Sequence, residues 1–248
     1  MIIVDVLYSN RINKDTLTVK LEQSVCGVID VIRATSTIVV LLKAGCSRVI
    51  VAADKNQAYR LKKKNPDYIL CGEEGGLAPP GFDYGNSPLE LSGQSLIGRT
   101  AILKTTNGTV SMHLAQNCIS CLPLSLLNLH YGLGEMASEA KLNHSNILLI
   151  CSGQQGRIAY DDVFVAGLAV KHLLTMGGNF NFTDSAKLVL TVALSESSPK
   201  LALEKSSSGQ SLKAIGLEKD IDFCARLNHY NINGKLVNEA GLLQIVPV

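Results

Sequence analysis

Residues 25–44 read VCGVIDVIRATSTIVVLLKA, and the contrast between the two halves of this stretch decides the fold. The run 25–31 is apolar at consecutive positions and broken only by Asp30, the pattern of a strand covered on both faces. From Thr35 to Ala44 the pattern turns helical, and Gly45 stops it. The same order recurs along the chain. Strand-like 48–52 precedes a helix over 54–64 that opens on an Asp54/Gln57 capping pair, and NILLIC at 146–151 precedes a helix over 161–176. Further strands are predicted at 2–8, 17–21, 100–104 and 119–122, the first two joined by a polar turn at 9–15. Helices are predicted over 110–116, over 126–142 with interruptions at Gly132 and Gly134, from a Thr183 cap to 197, from Pro199, over 208–215 and over 217–227. A hairpin around Asn233-Gly234 and Gly241 ends the chain. The expected class is α/β: three layers, with helices around a mixed, largely parallel sheet, residues 1–248 forming one domain or two interlocked halves. In such sheets ligands bind beyond the carboxyl ends of the strands.

Composition narrows the partners. With 46% hydrophobic and 18% charged residues and a net charge of +2, the chain has neither a basic stripe for nucleic acid nor a basic face for a membrane. Small molecules are the expected partners, and a homo-oligomer is compatible with this composition. The N-terminal MIIVDVLYSN reads as a strand, since it lacks a basic start and a small-residue cleavage site. No window reaches a membrane span of about 18 apolar residues. The seven cysteines, mostly inside apolar runs, point to reduced thiols and a cytoplasmic setting. Cys118 and Cys121 have redox or zinc spacing, without a second pair or adjacent histidines. The five histidines lack ligand or triad spacing and read as structural or exposed.

Four strand ends run into polar or glycine-rich turns. The first offers Asp30, Arg33, Thr35 and Ser36, which suits an anion at a helix start or, equally, a structural Asp-Arg pair with a capping hydroxyl. It lacks the second Asp, two residues on, of haloacid-dehalogenase phosphatases, because Ile32 stands there. The second is the long segment LCGEEGGLAPPGFDYGNSPLE, 70–90, too polar for core and stiffened by three prolines. The third, Thr105-Thr106-Asn107-Gly108-Thr109, is a phosphate or sulfonate cradle or a simple capped turn. The fourth, CSGQQGR at 151–157, carries the Cys-x5-Arg spacing of cysteine phosphatases, in which Cys151 attacks phosphorus and Arg157 holds the oxygens; the alternative is a buried strand-end cysteine. The carboxylates Asp30, Glu73, Asp83, Glu90, Asp161 and Asp162, without histidine pairs, suit Mg2+, while Asp161 and Glu74 read most readily as a helix cap and a surface charge.

Taken together, VIDVIRATST (28–37), GEEGGLAPPGFDYGNSPLE (72–90), KTTNGT (104–109), CSGQQGRIAYDDVFVAG (151–167) and GLEKDIDFCA (216–225) resemble the 2-phosphosulfolactate phosphatase (ComB) family over nearly the whole chain. The resemblance implies a ComB-like α/β fold and a magnesium-dependent acid phosphatase. Its substrate would be 2-phospho-3-sulfolactate and its products 3-sulfolactate and phosphate, a step of coenzyme M biosynthesis. Another phosphorylated hydroxy acid, or non-catalytic binding of such acids, is the alternative. The motif positions implied are Asp30, Arg33, Thr35, Glu73, Asp83, Asn86, Ser87, Thr105, Thr106, Asn107, Gly108, Cys151, Gly153, Gly156, Asp162 and Asp220. Within them we assign Asp30, Glu73 and Asp162 as metal ligands or water-activating base. Arg33, Thr35, Asn86, Ser87, the turn Thr105 to Gly108, Gly153 and Arg157 are assigned to the substrate's anionic groups. The stretch SSSGQ, 206–210, lacks the histidine and arginine of an S-x-H-G-R-like segment.

Overall fold

The structure, a computed structural model, describes residues 1–11 and 17–248. Its strands are β1 (Ile2–Leu7), β2 (Ser24–Ile29), β3 (Arg48–Val51), β4 (Ile69–Gly72), β5 (Thr100–Lys104), β6 (Ser120–Leu124), β7 (Asn146–Cys151), β8 (Phe180–Phe182), β9 (Gly234–Glu239) and β10 (Leu242–Pro247). Its helices are α1 (Ala34–Lys43), α2 (Lys55–Lys64), α3 (Pro88–Ser92), α4 (Gly108–Leu114), α5 (Leu129–Leu142), α6 (Tyr160–Met176), α7 (Asp184–Leu194), α8 (Pro199–Lys205), α9 (Ser207–Ala214) and α10 (Glu218–Cys224).

The α/β class stands, with two sheets where one was expected. The first, ordered β6-β2-β7-β1-β8, is parallel throughout. The second, β4-β5-β3-β10-β9, is parallel over β4, β5 and β3 and finishes with the antiparallel hairpin β9-β10. Alternation along the strands shows how the layers stack. In β2, Val25 and Ile29 join one core with Leu133, Met136, Val165 and Ala169 of α5 and α6, while Cys26 and Val28 join another. That second core takes Ile38, Val39 and Leu41 of α1 and one face of the other sheet, Val49, Val51, Ala101 and Leu103. The far face of that sheet, Ile50, Leu70 and Ile102, packs on Ala58 of α2. The order is therefore helices, sheet, α1 with α4, sheet, helix: five layers where three were predicted.

Local differences have local causes. Residues 17–20 form no strand and 21–23 a short 3-10 helix, and the predicted turn at 9–15 lies partly outside the described residues. α5 runs unbroken through Gly132 and Gly134, since a buried stripe of Leu129, Leu133, Met136 and Ala140 outweighs two glycines costing about 1 kcal/mol each. The terminal hairpin turns on Ala240 and Gly241, both at positive φ as a two-residue turn requires, and not on Asn233-Gly234. Thr183 caps α7 by accepting from the amide of Ala186.

Candidate active site

The turns after β2, β4, β5 and β7 meet at one cleft of about 230 Å³, at the carboxyl ends of the parallel strands of both sheets. Asp30 leaves the end of β2 and its Oδ1 accepts from the amide of Ala34 at 3.1 Å. Gly108, opening α4, lies so close that a Cβ there would stand 2.8 Å from Asp30 Oδ2 and 2.3 Å from the Ala34 Cβ. A side chain at 108 would displace the carboxylate. Burial, then the charges of Asp161 and Glu73, push the Asp30 pKa up to about 7, against the pull of the Ala34 amide and Arg33.

Arg33 is buried and fully braced. Its Nη1 donates to Asp220 Oδ2 at 2.7 Å and its Nη2 to the carbonyl of Gly76 at 2.6 Å, which fixes the guanidinium in the cleft wall. Asp220 is held in turn by Ser87 Oγ at 2.6 Å and the amide of Leu89 at 3.3 Å. Ser87 therefore caps α3 and supports Asp220, and does not line the cleft. Thr35 does not line it either: its amide and hydroxyl close the turn on the Asp30 carbonyl. Asn86 does, with its Oδ1 buried and lacking a partner among the described residues.

Glu73 and Asp162, predicted as ligands, are occupied differently. Glu73 accepts from the amide of Gly76 at 2.9 Å and that of Thr106 at 2.6 Å, tying its own turn to the one after β5. Asp162 accepts from Gly153 at 3.0 Å and Val31 at 3.1 Å, tying its own turn to the one after β2. Burial, with Asp161 and Asp30 nearby, raises the Asp162 pKa well above the usual carboxylate range. Thr105, Thr106, Asn107 and Gly153 all line the cleft. Thr105 Oγ1 also accepts from the amide of Thr109, and Asn107 Oδ1 from that of Gln155.

Asp161, read from sequence as a helix cap, is 1% exposed and lines the cleft. Burial is the main reason its pKa rises to about 6, opposed by hydrogen bonds that include Ser208 Oγ at 3.2 Å. Ser208 belongs to the SSSGQ stretch, so that segment, with Ser211 and Leu212 of α9 and Ile215 just after it, forms one wall of the site. The acidic pair at the start of α6 was the available signal, and only the return of α9 buries its first member. Asp83 pairs with Lys62 and the amide of Leu70, Glu74 with Lys55, and neither these two acids nor Glu90 lines the cleft.

Cys151 and Arg157 are not brought together. Cys151 has 0% exposure within the core beneath the cleft, and burial, then Asp162 and Asp161, push its thiol up. Arg157 is exposed, turned outward by the bridge its backbone makes with Gln154. Neither lines the cleft, so the Cys-x5-Arg spacing is that of a strand-end cysteine followed by a tight turn. Asp30, Glu73 and Asp162 all line the cleft, and among the described residues no three His, Cys, Asp or Glu side chains are placed to hold a metal unaided. The carboxylates of Asp30 and Asp161, with the orphaned Asn86 Oδ1, are hard oxygens suited to a cation that keeps waters and ligand oxygens in its shell. Among the described residues no helix is long and apolar enough to cross a membrane.

Comparison with known proteins adds to this geometry. Residues 11–239 match the family model described as 2-phosphosulpholactate phosphatase. The chain is 36% identical over 219 residues to a Deinococcus radiodurans protein named probable 2-phosphosulfolactate phosphatase, covering 88% of this chain and 90% of that one. Proteins of the same name from Thermus thermophilus and Pseudothermotoga lettingae are each 36% identical, over 81% and 85% of this chain and 82% and 88% of theirs.

Proposed function

Because the chain belongs to the 2-phosphosulfolactate phosphatase family, a family of phosphoric monoester hydrolases, we propose that it hydrolyses 2-phospho-3-sulfolactate to 3-sulfolactate and phosphate. The observation that carries this reading is the meeting, in one cleft, of a fixed guanidinium, Arg33, with three buried carboxylates of raised pKa, Asp30, Asp161 and Asp162. Arg33, held from behind by Asp220, presents its remaining N–H groups to an anionic oxygen of phosphate or sulfonate. Thr105, Thr106 and Asn107 line the same cleft with hydroxyls and amides.

Hydrolysis joins a water oxygen to phosphorus, breaks the ester P–O bond and leaves the C2 oxygen needing a proton. Asp30, whose pKa of about 7 belongs to the cation-free cleft, would be drawn into its ionised form by a bound cation and would then serve as a ligand oxygen rather than as a proton donor. Mg2+ is the cofactor in this reading: Asp30 and Asp161 would hold it, with Asn86 Oδ1 as a further oxygen. When bound, it supplies neutralisation of the phosphate charge. Glu73 and Asp162 keep the surrounding turns in place. A role in coenzyme M biosynthesis follows from that substrate, and the cytoplasmic setting expected from the reduced thiols belongs to the same proposal.

A phosphate-release screen on phosphosulfolactate, phospholactate and phosphoglycolate is the test. Release that is fastest on the first, lost on chelation and restored by Mg2+ is the expected result, and Asp30→Asn should lower kcat by about a hundredfold. Saturable binding of all three acids without any release would overturn the reading.

A further inference from the structure

Away from the cleft, three sulfurs gather toward the other end of the first sheet. Cys26 of β2 and Cys121 of β6 are register partners on adjacent parallel strands. Cys118 lies in the turn just before β6 and packs against the same core that holds Cys26 and Cys121. Cys26 and Cys121 are buried, whereas Cys118 is the one cysteine of the seven that is partly exposed. One solvent-reachable cysteine thus lies against a core that holds two which solvent does not reach. No metal-holding group is found there among the described residues.

We propose that Cys26, Cys118 and Cys121 form an oxidisable thiol site, in which Cys118 reacts with a peroxide and one of its two neighbours closes a disulfide on it. In the first step the Cys118 thiolate sulfur attacks one peroxide oxygen. The O–O bond breaks, the sulfur is oxidised to a sulfenic acid, and the second oxygen leaves as hydroxide, which takes a proton to become water. In the second step the sulfur of Cys26 or Cys121 attacks that of Cys118, the S–O bond breaks, and a second water leaves with the attacking thiol's proton. Two thiols and one hydrogen peroxide become one disulfide and two waters. Donation from Cys121 and Cys26, with backbone amides of Cys26 and Ser120, holds the Cys118 thiol well below its ordinary pKa and so supplies the thiolate. Cys118 alone is lowered: the bond to Cys118 and burial push Cys26 and Cys121 well up, and burial raises Cys46 to about 11, Cys224 to about 12, and Cys71 and Cys151 as well.

The test is peptide mapping of the full chain after exposure to one equivalent of hydrogen peroxide, with competitive iodoacetamide labelling at pH 6 against free cysteine. The expected result is loss of two thiols, a dithiothreitol-reversible link from Cys118 to Cys26 or Cys121, and labelling of Cys118 at least about tenfold faster than free cysteine. Cys118→Ser should abolish the link and leave the other six thiols unreactive. If that variant does not fold, the wild-type map still decides. A linked pair that excludes Cys118, oxidation of Cys118 to sulfinic acid with no link, or labelling no faster than free cysteine would each overturn the proposal.

Discussion

Two turns flank the Thr105–Gly108 segment and share one design. Residues 74–77 follow β4 and residues 154–157 follow β7; each closes with a two-residue bridge, Glu74 to Leu77 and Gln154 to Arg157, over central residues at positive φ. Each strand carries a buried cysteine near its end, Cys71 just before the final Gly72 of β4 and Cys151 as the last residue of β7. Each turn is also tied by a carboxylate to the turn of the neighbouring strand, by Glu73 to the amide of Thr106 and by Asp162 to that of Val31. The difference lies in where the carboxylate comes from. Glu73 belongs to the turn itself and is half-buried, whereas Asp162 reaches back from α6 and is 2% exposed. The same brace is thus built once at the water's edge and once in the core. An acceptor lost in the core is not replaced by water.

That difference is broken or sharpened most directly by deleting each brace. Asp162→Ala leaves two buried amides without an acceptor and should lower stability by about 3 kcal/mol, whereas Glu73→Ala, with water available to Thr106, should cost about 1 kcal/mol or less. Urea unfolding of the two variants checks this, and equal losses would dissolve the contrast. Both should reduce phosphate release, because each frees a turn that lines the cleft.

A second effect concerns the protons held by the buried acids of the cleft. Asp30 and Asp161 have folded pKa values of about 7 and about 6, above the ordinary 3.8. The folded state therefore binds more protons than the unfolded one between those values. Stability from these groups is complete below about pH 4 and is lost as pH rises through 6 to 7. With chelator present, Tm should fall over that range; Mg2+ should restore it at pH 8, and Asp30→Asn should flatten the profile.

The smallest effect concerns matched positions in the turns. Gly75 and Gln155 both sit at left-handed φ, 62° and 53°. Gly75→Ala should destabilise by about 1 kcal/mol and Gln155→Gly should stabilise by up to about that amount, read as opposite shifts in Tm.

What the sequence disclosed follows from range. Strands ending in polar turns are local patterns, so Asp30, Arg33, Asn86 and Thr105 to Asn107 could be named before their neighbours were known. Asp161 was not legible as a site residue, because its partner Ser208 of α9 lies 47 residues downstream. The division into two sheets was hidden for a similar reason: β2 pairs with β6 and β7, not with β3, and nothing in an apolar run names its partner. Cys151 and Arg157 misled because spacing was right and direction was not, since a turn at positive φ reverses the chain between them.

One helix constrains how such a protein can change. Every residue of α1 from Ala34 to Leu42 is buried, because a sheet lies on either side of it. No face remains on which a new volume or charge can be absorbed, and an alteration there disturbs both sheets together. α9 is different: it closes the cleft with Ser208 and Leu212 while Ser207, Gln210 and Lys213 remain in water. Diversification is thereby channelled. The anchoring chemistry beside α1 is frozen by its surroundings, and selectivity for the rest of the substrate is free to drift through a late, half-solvated helix.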